Sequence, residues 1–490
     1  MANIPAIVVV TPLMLAFAIP LIGSRWRNAV HPVATLGIAI SFAVALAGLF
    51  RVLIDGKQHY YLGGWPPPLG IEYVLDPLSA VMISLVSFVG LAAVVFSRRS
   101  ASFEIPERLV PFYGLVLLLL AGLTGIVVTG DLFNLFVFLE IASLSAYALM
   151  SIGEQRAPVA SFRYVVVGTI GGSFYLLGVG FLYFQTGSLN MADVARLLPS
   201  VYGSPATLMA ATLITVGLAL KMALFPLHGW LPDAYSYTTS AAINFVAPIM
   251  TKVFAYALIR VLFTVFGPAY LRDLLPVTDL VGWLAAVGII FGSVMAIAQR
   301  DLRRMLAYSS VSQLSYIALG IGLANPFGLI GALLHIINHA FMKGCLFMVA
   351  GGIRYRTGSS DILTFAGLGQ RMPWTMAAFA LAALSMVGIP PTAGFFSKWY
   401  LVLGGIDAGN WVFVVVILVS SLLNAVYFFR LLERAYLEHL SARNSRTAVR
   451  ELPASMLGPT VILGVGTIVL GFGSAMIVSH ALVLALPNGL

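Results

Sequence analysis

The amino-acid sequence predicts an all-α polytopic membrane protein, and three properties lead to that prediction. Of the 490 residues, 60% are hydrophobic and only 9% are charged, whereas a soluble globular chain carries about a quarter charged residues. The apolar residues form long runs, and a helix needs about 20 such residues to cross the hydrocarbon core. The strands of a membrane β-barrel would instead be short and alternating, so the predicted class is all-α.

About fourteen apolar runs qualify as transmembrane helices, called spans 1 to 14 below. The first run has no basic segment before it and no convincing cleavage site, so we interpret it as a retained helix; a cleaved signal peptide is the alternative. The single cysteine, Cys345, excludes a disulfide framework within this chain. The runs cover approximately residues 4–22, 30–50, 74–96, 109–129, 131–151, 161–184, 206–236, 239–263, 279–298, 303–323, 327–351, 373–404, 410–432 and 456–485.

The placement of basic residues predicts the orientation of the spans. Loops after odd-numbered spans, together with the first turn of the next span, hold seventeen basic residues, and loops after even-numbered spans hold four. Under the positive-inside rule the odd-numbered loops are cytoplasmic. Both termini are therefore predicted to lie on the outer side of the inner (plasma) membrane. The net charge of +9 therefore reflects topology, and nucleic acid is not an expected partner. The odd-numbered loops hold Arg25, Arg27, Arg98, Arg99, Arg108, Arg156, Arg163, Arg300, Arg303, Arg304, Arg354, Arg356, Arg371, Arg434, Arg443, Arg446 and Arg450, and the even-numbered loops hold Arg51, Lys57, Arg196 and Arg272.

Two spans contain proline near their middle and should be interrupted. Span 7 includes KMALFPLHGWLPDAY (221–235) with Pro226, and span 12 includes VGIPPTAGFFSKWY (387–400) with Pro390 and Pro391. Proline removes a backbone donor and clashes with the preceding turn. The two spans are five apart, an odd offset, so corresponding helices run in opposite directions. Interrupted helices in corresponding positions indicate inverted repeats with a site near the midplane; two unrelated proline kinks are the alternative.

This pattern predicts a division of the chain into four parts. Spans 4–8 and 9–13 form two inverted five-helix repeats, which cover residues 109–263 and 279–432. Residues 1–108 hold the N-terminal helices 1–3, and residues 433–490 hold a cytoplasmic loop and helix 14.

Ionisable residues inside the spans are candidates for function, because a charge at mid-membrane costs a few kcal/mol. Two of the lysines flank the predicted helix breaks. Three residues of span 11 recur at intervals of four, which places them on one helical stripe. The candidates are Glu140 in span 5, Lys221 in span 7, Lys252 in span 8, His335, His339 and Lys343 in span 11, and Lys398 in span 12.

The chemistry of this set suits proton transfer. Burial disfavours the charged form of a lysine and a nearby carboxylate favours it, so a Glu140–Lys221 pair whose spacing changes can load and release a proton. Histidine titrates near neutral pH and can shuttle protons through either ring nitrogen. Interrupted helices leave backbone N–H and C=O groups unpaired. At membrane depth such groups are tolerated only where they are buried in protein or line a water-filled cavity. Water chains there could connect the titratable groups.

Structural interpretations compete with this one for each residue. Glu140 and Lys221 could form a static ion pair, the histidines could be hydrogen-bonded core residues, and Lys343 could extend to the interface. The occurrence of all of them together favours function. A zinc site is not expected, because Ile336 stands where HExxH has glutamate and no third ligand is evident; no P-loop, dinucleotide fingerprint or haem pattern indicates a cofactor.

Five runs, in order, resemble the signature stretches of one membrane protein family. This antiporter-like family includes the proton-pumping membrane subunits of respiratory complex I and the large subunits of Mrp-type Na+/H+ antiporters. The similarity covers roughly spans 3–13. The runs GDLFNLFVF and IPPTAGFFSKW and the loop GSLNMADVA (187–195) most resemble the Mrp D subunit, whereas the lysine in span 12 fits both that subunit and some complex I pumping subunits. The five runs are GDLFNLFVFLE (130–140), KMALFPLHGWLPDAY, DLRRMLAYSSVSQLSYI (301–317), HIINHAFMKG (335–344) and GIPPTAGFFSKW (388–399).

The resemblance implies roles for the individual residues. Glu140 corresponds to the family's span-5 glutamate, and Lys221 corresponds to its partner in span 7. Lys252 corresponds to the central relay lysine and Lys398 to the distal lysine near the exit. The family's histidine region of span 11 corresponds to His335 and His339, and Lys343 completes the same stripe.

The sequence thus predicts a proton-translocating subunit of a multisubunit Na+(K+)/H+ antiporter. Its partners would be other subunits of that assembly, membrane lipid, protons, and Na+ or K+. The alternative is a redox-driven proton-pumping subunit of a complex I-like NADH-quinone oxidoreductase or membrane-bound hydrogenase. A third possibility is a non-transporting scaffold whose buried charges only fix helix packing. No cofactor or metal is expected in this chain.

Overall fold

A computed structural model describes residues 3–153, 156–273, 275, 277–438, 449–487 and 490. Arg443 and Arg446, which contribute to the charge asymmetry, lie outside the described residues. The described chain is mostly helical, which confirms the predicted all-α membrane class, and it includes one short two-stranded sheet. Within these residues, twelve helices are long and apolar enough to cross a membrane, so the chain is a multi-pass membrane protein.

The twelve continuous helices match twelve of the predicted spans. Spans 7 and 12 are each broken into shorter helices, so the count of fourteen spans remains a prediction. The continuous helices are Ile4–Arg25, Arg27–Asp55, Pro77–Glu104, Pro106–Val128, Leu132–Ser151, Ala157–Thr186, Ser240–Phe266, Val277–Ile297, Leu302–Leu323, Pro326–Thr357, Trp411–Tyr436 and Ala454–Phe472, which are spans 1–6, 8–11, 13 and 14.

Both predicted interruptions are present. Span 7 consists of Pro205–Lys221 and Leu231–Tyr237, and span 12 consists of Pro373–Val387 and Ala393–Asp407. The Phe225–Pro226 and Pro390–Pro391 peptide bonds in the two breaks are cis. A lysine therefore ends the first half of span 7, and another lies in the second half of span 12.

Short elements complete the described chain. The loop after span 2 forms a hairpin of strands Gln58–Tyr61 and Glu72–Leu75, paired antiparallel with Gln58 opposite Leu75, which the hydropathy pattern did not predict. The remaining helices are Met191–Leu197, Pro268–Asp273, Leu368–Arg371 and Ser474–Ile477, with shorter 3-10 or π turns at 62–64, 198–201, 362–365 and 478–485.

Several spans begin at an acidic or amide residue whose side chain caps the helix. Asp76, Asp131, Asp301 and Asn325 each accept a hydrogen bond from a backbone N–H in the first turn of spans 3, 5, 10 and 11. Such side chains satisfy donors that the first helical turn leaves unpaired. The carboxylates at the ends of these spans therefore serve as helix caps.

Spans 5 and 10 begin in corresponding ways, as expected of two repeats five spans apart. Asp131, at the start of span 5, forms an antiparallel bridge with Asn190, and Asp301, at the start of span 10, forms one with Asp361. Asn190 and Asp361 each cap a short helix that precedes a broken span. The correspondence supports the inverted repeats, whereas the boundaries of the four predicted parts remain a prediction.

The centre of the molecule lies in spans 8, 10 and 11, where almost every side chain is buried. Spans 1, 2, 6, 13 and 14 instead expose many large apolar side chains, among them Phe184 and Leu422, as expected of surfaces that face lipid. The candidate ionisable residues of spans 8 and 11 therefore lie in the most enclosed part of the fold.

Candidate functional site

Glu140 and Lys221 form an ion pair between spans 5 and 7. The ammonium Nζ of Lys221 lies 3.0 Å from Oε1 of Glu140, and it also donates to the hydroxyl of Ser143 at 2.7 Å and of Tyr147 at 3.4 Å. Lys221 is fully buried, whereas the Glu140 side chain retains 24% of its exposure. One end of the pair is therefore enclosed and the other is accessible.

Local sequence explains the position of both partners. Glu140, Ser143 and Tyr147 follow each other at intervals of three and four residues, so they lie on one face of span 5. Lys221 is the last residue of the first half of span 7, where unpaired helix carbonyls favour a cation. Ser143 and Tyr147 are site residues that the sequence analysis missed, although their spacing from Glu140 was a usable signal.

Lys252 lies at an irregularity of span 8 that hydropathy could not predict. Residues 246–250 form a π-helical turn before the α-helix Thr251–Ile259, and such turns often occur at functional sites. The buried Nζ of Lys252 donates to the carbonyl oxygen of Ala247 at 2.5 Å and contacts Oγ1 of Thr251 at 3.5 Å. Its ammonium is thus held by neutral oxygen atoms.

His335 and His339 are buried and stack with a centroid distance of 5.7 Å. His335 is bonded through both ring nitrogens, Nδ1 to Ser397 Oγ at 2.9 Å and Nε2 to Gln313 Oε1 at 3.1 Å. Neither ring nitrogen of His339 has a hydrogen-bond partner among the described residues. His335 is therefore fixed in place, whereas His339 is a polar ring whose hydrogen bonds water could complete.

Lys398 lies just beyond the break of span 12 and faces the end of that span's first half. Its Nζ donates to the carbonyl oxygens of Met386 at 2.9 Å and Val387 at 3.0 Å, and to Ser421 Oγ at 3.1 Å. The carbonyls at a helix C-terminus carry partial negative charge that stabilises a cation. The break thus supplies two of the three oxygen ligands of Lys398, and Ser421 of span 13 supplies the third.

Lys343 points into the protein, so the interpretation that it extends to the interface is wrong. Its side chain is fully buried, and Nζ donates to the Leu306 carbonyl at 2.8 Å and to Ser309 Oγ at 3.0 Å. The four lysines within the spans are therefore all enclosed.

A chain of hydrogen bonds that the sequence analysis missed connects Lys343 towards Lys398. The Tyr427 hydroxyl lies 3.0 Å from Ser309 Oγ, and it donates to Oδ1 of Asn424 at 2.8 Å. The Asn424 amide donates at 3.4 Å to the Met386 carbonyl, which also accepts from Lys398. Asn424 and Tyr427 are neighbours on span 13, and only the tertiary structure brings Ser309 of span 10 to them.

The described side chains thus form separate hydrogen-bonded sites around Lys221, Lys252 and His335, and a connected site between Lys343 and Lys398. No hydrogen bond of the described residues joins Lys221 to Lys252 or Lys252 to His339. The helix that carries Lys252 nevertheless packs against span 11, which carries His335, His339 and Lys343. The titratable groups therefore form separate hydrogen-bonded sites, which water or movement would have to link.

Comparison with known proteins identifies relatives over the whole chain. The family model described as "NADH:quinone oxidoreductase/Mrp antiporter, TM" matches residues 129–424. The chain is 52% identical to the N subunit of NADH-quinone oxidoreductase from Desulforudis audaxviator, over 99% of both chains. It is 32% identical to the D subunit of the Na(+)/H(+) antiporter from Alkalihalophilus pseudofirmus, over 86% of this chain and 85% of the relative. The family resemblance is confirmed, while the higher identity is to an N subunit.

Two solved structures have the same fold. A chain of the Mrp complex from Dietzia sp. superposes with a TM-score of 0.89 at 27% identity, covering 99% of this chain and 97% of that chain. A chain of the membrane-bound sulfane sulfur reductase, an archaeal respiratory membrane complex, gives a TM-score of 0.90 at 31% identity with the same coverage. One of these complexes is named as Mrp and the other as respiratory, so the fold does not separate the two predicted activities.

Proposed function

Since the chain belongs to the NADH:quinone oxidoreductase/Mrp antiporter transmembrane family, we propose that it translocates protons as one subunit of a multisubunit complex in the plasma membrane. Glu140 and Lys221 form the accessible end of the path. Lys252, the His335 and His339 pair, and Lys343 form its buried centre, and Lys398 forms the distal end. Water links the groups that do not touch.

The observation that carries this proposal is the way the buried lysines are held. Among the described residues, only Lys221 of these four has a carboxylate partner; Lys252, Lys343 and Lys398 contact carbonyl and hydroxyl oxygens. A buried charge needed only for packing is normally paired, because an unpaired one is costly. Lysines with neutral ligands can lose a proton without leaving an opposite charge uncompensated, as a relay requires.

In this path, a proton would pass by changes in the partners of each group. Movement of the partly exposed Glu140 away from Lys221 would weaken the ion pair and favour release of the lysine's proton. His339 can accept a proton at one ring nitrogen and release one at the other. The hydroxyls of Ser309 and Tyr427 can both donate and accept, so they can connect Lys343 with the neighbourhood of Lys398.

Two forms of coupling have specific support. The likeness to the D subunit of an antiporter and to the Mrp complex supports exchange of protons for Na+ or K+. The 52% identity with an N subunit over the whole chain supports coupling to a redox reaction carried out by other subunits. In both cases the proton path of this chain is the same, and the partner subunits determine the driving force.

The relay is tested by Lys252→Met, which keeps the length of the side chain and removes its charge. The variant should abolish proton movement by the native complex in everted vesicles, measured by quenching of a pH-sensitive dye. The control is Lys57→Met, since Lys57 is exposed and lies outside the spans. Normal transport by an assembled Lys252→Met complex would establish the scaffold interpretation instead.

The coupling is tested with the same vesicles. An Na+ or K+ gradient should drive proton movement without a reductant if the complex is an antiporter. A reduced electron donor, with no cation gradient, should drive it if the complex is a redox pump. Identification of the co-purifying subunits gives an independent answer.

A further inference from the structure

A large basic groove is lined by none of the ionisable residues of the proposed proton path. It is a surface cavity of about 950 Å³ between the beginning of span 2, the end of span 3 and the beginning of span 4. Its volume is in the range of sites that hold small molecules, about 300–1,000 Å³. The groove is lined by Arg27, Asn28, Val30, His31, Pro32, Thr35, Leu36, Ala39, Arg98, Ser102, Leu109 and Tyr113.

The polar end of the groove is positively charged. Arg27 and Arg98 line it, and no aspartate or glutamate is among the lining residues. Arg27 donates one hydrogen bond to the Pro106 carbonyl, and neither arginine forms an ion pair with a described residue. His31, bonded at 3.1 Å to the Val94 carbonyl, lies beside them. Two guanidinium groups without acidic partners provide N–H donors for hydrogen bonds to the oxygen atoms of a phosphate.

The other end of the groove is apolar and faces the lipid. Leu36 is 62% exposed and Ala39 lies one turn further along span 2. Arg27 and Leu36 are nine residues apart, which is about 13 Å along a helix. Trp26, beside Arg27, is 65% exposed, and exposed tryptophan next to arginine is typical of the membrane–water interface. The groove thus runs from headgroup depth into the hydrocarbon.

We propose that this groove binds one anionic phospholipid. Its phosphate would lie between Arg27 and Arg98, and the start of an acyl chain would follow Pro32, Leu36 and Ala39. Basic pockets between helices on the cytoplasmic side of a membrane are suited to anionic headgroups. The arginines at this end of spans 1 to 4 predict that this is the cytoplasmic leaflet.

The test is retention of lipid by the purified native complex, measured by native mass spectrometry with phosphatidylglycerol and phosphatidylcholine in competition. The double variant Arg27→Ala/Arg98→Ala should bind phosphatidylglycerol roughly 30-fold more weakly than the wild type, since each arginine near the surface is worth about 1 kcal/mol. The matched control is Arg25→Ala/Arg99→Ala, two exposed arginines that do not line the groove. It should retain phosphatidylglycerol.

A second variant tests the apolar end of the groove. It also keeps the proposal testable if the Arg27→Ala/Arg98→Ala variant does not assemble. Ala39→Trp fills the groove with a side chain that lipid-facing surfaces accept, and it should also lose the bound phosphatidylglycerol. The proposal is overturned if both lipids are retained equally, if the groove variants retain phosphatidylglycerol like the control, or if inorganic phosphate displaces it. The last result would identify a phosphate site.

Discussion

Tyr427 is the residue whose removal tests the hydrogen-bonded connection most directly. Its hydroxyl joins Ser309, which holds Lys343, to Asn424, whose amide reaches the carbonyl that holds Lys398. The ring is fully buried, so Tyr427→Phe keeps the packing and deletes only the connecting group. If protons use this connection, the side chain matters for transport more than for folding.

We expect Tyr427→Phe to lower proton transport at least tenfold while costing about 1 kcal/mol of stability, the usual contribution of one hydrogen bond. The measurement is dye quenching in everted vesicles, normalised to the amount of assembled complex. Tyr436→Phe is the control, because Tyr436 lies on the same span and is 44% exposed. If Tyr427→Phe and Tyr436→Phe transport protons equally well, then the Tyr427 hydroxyl is not part of the proton path.

At the scale of elements, the packing of span 6 against span 5 determines where the Glu140 carboxylate lies. A Cβ atom at Gly172 would lie 2.5 Å from Oε1 of Glu140 and 3.8 Å from Nζ of Lys221. The nearer atom is the end of a flexible side chain, so Gly172→Ala should displace the carboxylate more easily than it separates the helices.

We therefore expect Gly172→Ala to reduce transport strongly with little loss of assembled protein. Gly180→Ala, on the same helix, has no atom within 4 Å of the added Cβ and should transport normally. Alanine favours a helix over glycine by roughly 0.5–1 kcal/mol, so neither change should unfold span 6. Thermal unfolding of the purified variants checks this, and unimpaired Gly172→Ala transport would contradict the role of the ion pair.

The break of span 12 offers a second test at this scale. Gly388 has φ of 92° and a Cβ there would lie 3.1 Å from Cδ of Lys398. Gly388→Ala should cost roughly 1–2 kcal/mol in backbone strain and also shift the lysine away from the helix carbonyls. The expected result is lowered stability together with a loss of transport.

The control for that change separates strain from displacement. Gly409 has φ of 66° and nothing lies within 4 Å of an added Cβ. Gly409→Ala should therefore lose similar stability and keep its transport per assembled complex. If the two variants transport equally, then the position of Lys398 does not limit proton movement.

At the scale of the whole molecule, the chain has a predicted orientation that its single cysteine makes testable. Cys345 is buried, so Cys345→Ser provides a background without reactive thiols. In that background, Ser200→Cys should react with a membrane-impermeant maleimide in intact cells, and Ser24→Cys should react only after permeabilisation. Both serines are exposed and donate to a nearby helix carbonyl at 2.7 and 2.8 Å. The opposite pattern would invert the predicted topology.

Amino-acid sequence alone determined the membrane class, both helix breaks and the family, since each depends on local composition or on motifs that run along the chain. Long apolar runs indicate spans, and proline favours a helix break, as at Pro226 and at Pro390 and Pro391, whereas Pro12 and Pro459 lie inside continuous helices. The ionisable residues could be found for the same reason, because a charge inside an apolar run is visible without knowledge of its neighbours.

Only the tertiary structure decided what those residues contact. Ser143 and Tyr147 hold Lys221, Gln313 and Ser397 fix His335, and Tyr427 connects two lysine sites. Apart from Ser143 and Tyr147, whose spacing from Glu140 was a usable signal, these neutral polar residues do not indicate by themselves which group they contact. Their partners come from other spans, and helix rotation and packing, which hydropathy does not encode, determine whether two polar groups meet. For the same reason the burial of Lys343 and the π-helical turn before Lys252 required the folded molecule.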